Sequence, residues 1–271
     1  MIYTRANAKC AGNGLNQVVI TFTKKDVCTK RTDIFVRGGV CGNGGRTNGR
    51  WDNMAKTLIA VPCFDMVHTE FMQSLIALEK PENTSFTVVK NTLISVARNT
   101  IARNAIEAGF DRIMWFDSDM DIPRDALMKL TADMDNNPGI DMVTGLYFTR
   151  KTPIKPVIYS DLYWEKKNGE VDAGAANYFD YPEGLIPIAG CGFGCVLTSV
   201  DLIKRVWERV GIPFAELTGF GEDLSFCERV NRGFGTIWAD TTVKCGHVGV
   251  QTFNEQMYRA QGKIDWSKQN V

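Results

Sequence analysis

Long apolar runs are missing from this chain of 271 residues. None approaches the roughly 20 residues that a membrane-spanning helix needs, so no span is expected. The first 30 residues contain no apolar segment of the kind found in a secretory leader, and a cytoplasmic location is the expectation. Net charge is missing too, with 31 Lys and Arg against 31 Asp and Glu. Histidine is nearly absent; His68 and His247 are the only two. There is no internal repeat. What is present is ordinary for a globular protein: 44% hydrophobic and 23% charged residues, enough for a large core. Eight cysteines occur, Cys10, Cys28, Cys41, Cys63, Cys191, Cys195, Cys227 and Cys245. Without a leader they are expected to be reduced thiols.

The zero charge hides an asymmetry. Residues 1–53 carry nine basic and three acidic side chains, which leaves 22 basic and 28 acidic for the remainder. The same segment holds 8 of the 25 glycines. Only Val18 to Phe22 and Ile34 to Val36 look like strands in it, so residues 1–53 are expected to be a weakly structured basic extension. Two alternatives stand beside that reading: a polyanion-binding arm, and a natural start at Met54. Aromatic residues are not interleaved with the basic ones, and no nucleic-acid partner is expected.

From Met54 the pattern changes. Thr57 to Val61 is an apolar β run, a helix is expected from about Thr69 to Leu78, and a strand from Ser85 to Val89. Ile94, Ala97, Ile101, Ala105 and Ala108 recur at steps of three and four, which makes residues 94–108 an amphipathic helix closed by Gly109. A strand over Ile113 to Phe116 follows, then a helix from about Pro123 to Met134. Alternating strands and helices predict a parallel, doubly wound sheet. Ligands in such sheets sit at the carboxyl ends of the strands. Asp65, Asp117 and Asp119 fall on that edge, together with the amino end of the helix that bears Arg98 and Asn99.

Residues 112–121 are the most informative stretch. A buried strand, Ile113 to Phe116, ends abruptly in carboxylates. In an extended chain Asp117 and Asp119 point the same way and Ser118 points away. Such a pair repels itself unless a cation lies between, and Mg²⁺ or Mn²⁺ with oxygen ligands is the usual solution.

The second half is less regular. Ile140 to Tyr147 reads as a strand, followed by the basic residues Arg150, Lys151 and Lys155. Pro156 to Tyr159 and Leu162 to Trp164 read as short strands, with a hairpin turn at Lys167, Asn168 and Gly169. Ile186 to Gly194 is glycine-rich. A helix over Val200 to Val210 has Ser199 as N-cap and Gly211 as stop, and Gly219 to Asp223 opens another that runs to about Asn231. Thr236 to Ala239 reads as a strand, and a short helix lies within Phe253 to Gln261.

Three motifs in order carry a resemblance: Asp117-Ser118-Asp119, then Gly221-Glu222-Asp223 followed by Phe226 and Cys227, then Cys245-Gly246-His247-Val248-Gly249. With Val96-Ala97-Arg98-Asn99 ahead of them, the chain over residues 55–250 resembles nucleotide-sugar-dependent glycosyltransferases of the GT-A fold. It is most similar to small bacterial and phage members related to family 2. The resemblance implies a single GT-A, Rossmann-like α/β domain over residues 54–271, with a mixed, mainly parallel central sheet. It implies Mn²⁺ or Mg²⁺, a nucleotide-diphosphate sugar donor, and a glycan, lipid or protein acceptor. Asp119 would be the direct metal ligand, with Asp117 nearer the ribose and His247 a further ligand. Asp223 would be the catalytic base, with Glu222 beside it capping the helix. Asp65, Arg98, Asp117, Ser118, Arg150, Gly190 and Gly192 would line the donor, and Arg150 or Lys151 would steady the leaving group. His68 is read as an ordinary histidine.

Cys191, Cys195, Cys227 and Cys245 could together hold zinc with His247, but their spacing is not that of a zinc ribbon or finger; buried small hydrophobes are the expectation. Two rival functions remain in view. A haloacid-dehalogenase-type phosphatase also ends a strand in Asp-x-Asp, but Asp121 stands where that motif has Thr or Val. A non-catalytic nucleotide- or carbohydrate-binding module is the other.

Overall fold

The computed structural model describes residues 8–9, 17–21, 55–167, 170–249 and 252–262. In chain order the elements are β1 (Ala8–Lys9), β2 (Gln17–Thr21), β3 (Thr57–Cys63), α1 (Thr69–Ala77), β4 (Thr84–Lys90), α2 (Ile94–Glu107), β5 (Arg112–Phe116), β6 (Met120–Asp121), α3 (Ala126–Asn136) and β7 (Met142–Leu146). The hairpin strands β8 (Ile158–Lys167) and β9 (Glu170–Asn177) follow, then β10 (Leu185–Pro187), β11 (Gly190–Cys191), β12 (Cys195–Ser199) and α4 (Val200–Val210). The chain continues through α5 (Glu222–Asn231), β13 (Ile237–Lys244), β14 (Gly246–His247) and α6 (Glu255–Ala260).

The main sheet has the order β1-β2-β4-β3-β5-β12-β7-β13-β10. β4, β3, β5, β7 and β13 run one way, and β12 runs against both β5 and β7 between them. The result is the mixed, mainly parallel α/β sheet expected for a GT-A-like domain. Side chains of β5 alternate across it. Ile113 and Trp115 join the core under α2 and α4, whereas Met114 and Phe116 join the core under α1 and α3. Both faces are therefore covered, which is why the strand reads as an uninterrupted apolar run. The stripe on α2 is Ala97, Ile101, Ala102 and Ala105, all buried. Its small residues let the helix lie close to the sheet. Gly109, at φ +69°, turns the chain out of the helix.

Two features differ from the sequence expectation. β12 was not anticipated, because its residues follow a glycine-rich run and lead straight into a helix. Its register places Cys195 opposite Phe116, so the preceding glycines arrive beside the end of β5. The two short strands expected at Pro156–Tyr159 and Leu162–Trp164 form one strand, β8, with a register shift between Tyr159 and Asp161. The expected turn at Asn168 and Gly169 and the strand over Ile34 to Val36 lie outside the described residues. Near the amino end, β2 pairs antiparallel with β4, Gln17 opposite Val89 and Thr21 opposite Ser85.

Candidate active site

Five segments converge at the carboxyl edge of the sheet: the end of β5, the first turns of α2, the loop after β7, the start of α5, and β14. After Phe116 the chain makes a turn rather than continuing extended, and Met120 N donates to Asp117 O at 3.3 Å. The turn hands the two aspartates to different partners. Asp117 Oδ1 lies 3.0 Å from Arg98 Nη2. Asp119 Oδ2 lies 2.7 Å from Arg150 Nη1 and 3.6 Å from His247 Nε2.

Arg98 is 2% exposed, and its Nε also donates to Glu222 Oε1 at 3.2 Å. One buried guanidinium thus joins the first acid of Asp-x-Asp to the first acid of the Gly-Glu-Asp motif. It sits over the Phe193 ring, 4.9 Å from the centroid, and beside Trp115 at 5.9 Å. Phe193, Phe214 and Phe226 pack edge-on or stacked beneath it. This apolar floor keeps water away and strengthens both ion pairs. Burial opposes the charge on Arg98, but Asp117, Glu222 and Asp223 outweigh it and hold the group protonated. Burial pushes the Asp117 carboxyl up, helped by Asp119 and Glu222, against the pull of Arg98.

His247 is placed by backbone pairing. β14 pairs antiparallel with β6, His247 opposite Met120, and Val248 N donates to Asp119 O at 2.7 Å. A Cβ on Gly246 would come within 2.7 Å of Thr252 Cγ2 and 3.1 Å of Asp121 Cβ, which accounts for the glycine before the histidine. His247 Nδ1 lies 2.8 Å from Phe148 O. That carbonyl can only accept, so Nδ1 carries the proton and Nε2 is the atom that faces Asp119. Burial pushes the Asp119 carboxyl up, but His247, Arg150 and His68 outweigh it and hold the group below the usual carboxylate range.

At the start of α5, Glu222 and Asp223 are the first two helical residues. Asp223 Oδ1 accepts from Leu224 N at 2.7 Å, and the helix terminus favours a negative charge there. Burial and the adjacent Glu222 win nevertheless, and the Asp223 carboxyl is pushed up to about 6. Two phenols that the sequence reading did not single out lie within its electrostatic reach. Tyr147 is pushed far up by burial, Asp117 and Asp223, and Tyr159 to about 12 by burial and Asp223. Tyr147 directly follows β7, and the position of ligand sites at parallel-strand ends could have flagged it.

The remaining expected positions are more dispersed. Asp65 is exposed in the loop after β3, flanked by Phe64 at 70% and Met66 at 75% exposure. Ser118 O accepts from His68 N at 3.0 Å, tying that loop to the Asp-x-Asp turn. Gly190 and Gly192 are buried. A Cβ on Gly190 would lie 3.3 Å from both Leu162 Cδ1 and Leu224 Cδ2; one on Gly192 would strike Tyr147 Oη and come within 2.8 Å of Val157 Cγ1. The segment packs on Tyr147 and brings Gly194 O to Asp117 N at 3.2 Å.

Solved structures share this architecture. The A197 protein from STIV aligns with a TM-score of 0.50 and 17% identity, over 72% of this chain and 86% of that one. GalNAc-T7, solved with UDP, GalNAc and Mn²⁺, aligns with a TM-score of 0.50 and 10% identity, over 73% of this chain and 44% of that one. This chain has a GT-A-like fold. No protein-family model and no curated protein matches it. Among the described residues no helix is long and apolar enough to cross a membrane.

In this GT-A-like setting the donors for a cation are few. Among the described residues no group of three or more His, Cys, Asp and Glu is placed to hold a metal ion. The described cysteines form no such centre: Cys191 contacts Cys227, and Cys195 contacts Cys245. Asp119 and His247 nevertheless fit a cation that takes the rest of its shell from water and phosphate. Their facing atoms, a carboxylate oxygen and an imidazole Nε2 at 3.6 Å, are both acceptors when the imidazole is neutral. The bond from Nδ1 to Phe148 O is the kind of support that orients a ligating histidine.

Proposed function

We propose that the protein is a metal-assisted glycosyltransferase, moving a sugar from a nucleotide-diphosphate donor to an acceptor hydroxyl. The observation that carries this reading is the division of four carboxylates by Arg98. Asp117 and Glu222 are both engaged by the one guanidinium. That leaves Asp119 with His247 as the cation-binding pair, and Asp223 as the carboxylate whose proton affinity suits a base near neutral pH.

Asp119 and His247 would hold Mn²⁺ or Mg²⁺, as the Mn²⁺ and UDP bound by GalNAc-T7 suggest by analogy. Bound there, the ion would offset the charge that builds on the departing nucleoside diphosphate. Asp223 takes the proton from the acceptor hydroxyl as its oxygen attacks the anomeric carbon. This is an inverting displacement: the new glycosidic bond forms as the bond to the diphosphate breaks. Glu222, paired with Arg98, sits beside Asp223 and raises its proton affinity. Asp65 and the exposed loop around Phe64 and Met66 offer a carboxylate and apolar surface to the nucleoside. The phosphatase reading needs Asp117 as a free nucleophile; its engagement by Arg98 weighs against that role.

A thermal-unfolding screen of nucleoside diphosphates and nucleotide sugars, with and without Mn²⁺, tests the proposal. A ligand at 100 times its Kd adds about 2.7 kcal/mol to stability. Stabilisation by at least one nucleotide that depends on Mn²⁺ is expected. No stabilisation by any nucleotide would overturn it.

A further inference from the structure

We infer that Arg150 and a divalent cation are alternative occupants of Asp119, and that Arg150 is the charge displaced when the donor complex assembles. The inference rests on the metal-assisted reading above and adds a competition to it. Arg150 Nη1 lies 2.7 Å from Asp119 Oδ2, the same oxygen that faces His247 Nε2 at 3.6 Å. The same Nη1 donates to Val248 O at 2.9 Å. The guanidinium therefore spans the carboxylate and the backbone next to His247. A cation bound by Oδ2 and Nε2 would be within a few ångströms of this guanidinium, and like charges at that separation repel.

Release of Arg150 is feasible on its surroundings. Its side chain is 42% exposed, against 2% for Arg98, and exposed ion pairs contribute little. Arg98 is held over an aromatic floor by two carboxylates, whereas the contacts of Arg150 are one carboxylate, Asp119, and the backbone Val248 O. Its loop is anchored independently: Thr149 N donates to Lys155 O at 2.9 Å and Lys155 N to Thr149 Oγ1 at 3.0 Å. The side chain can swing while the backbone stays. A guanidinium released beside a bound diphosphate meets a better bidentate partner than the one it left. One residue thus shields Asp119 in the free protein and serves the donor in the complex.

Binding of Mn²⁺ to the full chain without nucleotide, followed by electron paramagnetic resonance of the free ion, tests this. Arg150→Gln should bind Mn²⁺ about 2–5-fold tighter than wild type, the worth of a partly exposed ion pair. With Mn²⁺ present, the same variant should bind the nucleoside diphosphate more weakly. A variant that only loosened the fold would weaken both. Arg150→Lys should return both affinities toward wild type. Unchanged or weaker Mn²⁺ binding by Arg150→Gln would overturn the exchange. Asp119→Asn separates the two failures: if it loses Mn²⁺ while Arg150→Gln gains nothing, the metal site stands and the exchange falls. If Asp119→Asn binds Mn²⁺ like wild type, the metal assignment falls and the exchange with it.

Discussion

Asp117 and Asp119 are two residues apart and differ in what surrounds them. Asp117 faces a guanidinium that is 2% exposed, whereas Asp119 faces His247 and a 42% exposed Arg150. The first pair is costly to break, since removing one partner leaves a buried charge uncompensated. The second can be exchanged. Asp119→Ala should therefore abolish the Mn²⁺ dependence of nucleotide binding and leave the melting temperature within a few degrees of wild type. His247→Ala should weaken that dependence less, because water can replace one neutral ligand. Calorimetric titration of nucleoside diphosphate at several Mn²⁺ concentrations measures both. An unchanged Mn²⁺ response in Asp119→Ala would contradict the assignment. These roles were only partly legible. The Asp-x-Asp spacing marked the carboxylates, but extended-strand geometry misread their directions, because the chain turns at 117–120 before β6 pairs with the distant β14. Arg98 sits among alanines on a helix, and its partners are 19 and 124 residues away. Nothing local in the sequence announces a buried ion triad.

At the scale of elements, strongly periodic segments were legible and short or glycine-rich ones were not. α2 was placed by apolar steps of three and four and α4 by its cap and stop; Ser199 caps α4 as expected, accepting from Leu202 N at 3.0 Å. β9 escaped notice because alanine and glycine dominate Ala173 to Ala176. The contact between α3 and β13 was equally invisible. There Asp133 of α3 meets Asp240, which is 6% exposed and already accepts from Thr242 N and Thr242 Oγ1. Burial, and then Asp240, push the Asp133 carboxyl up to about 6. A raised folded-state value means the native state binds this proton more tightly than the unfolded chain does. The contribution is complete below the unfolded value near 4 and is lost as pH rises through about 6. Asp133→Asn should then be more stable than wild type at pH 8 by about 1 kcal/mol, discounted for partial exposure. The advantage should vanish below about pH 4. Urea titrations at the two pH values check the sign, and a variant equally destabilised at both would contradict it.

At the scale of the molecule, the sheet explains why the site is where it is. β4, β3, β5, β7 and β13 share a direction, and their carboxyl edge gathers the end of β5, the loop after β7 and the approach of β13 to β14. The antiparallel β12, inserted between β5 and β7, delivers Gly194 O to Asp117 N and Phe193 beneath Arg98. Strand-helix alternation predicted the parallel part of this sheet. The insertion of β12 was not predictable, because strand order is set by pairing across distant residues rather than by local pattern. The central claim is that this edge transfers a sugar with Asp223 as base. Its most direct measurement is the pH dependence of product release from nucleotide sugars with Mn²⁺, for wild type and Asp223→Asn. Wild type should release nucleoside diphosphate at a rate that rises as Asp223 loses its proton, with a midpoint at about 6. Asp223→Asn should bind the donor normally, show no such rise, and be slower by roughly 10²–10⁴. Release of inorganic phosphate instead, or a variant within a few-fold of wild type across the pH range, would contradict the account.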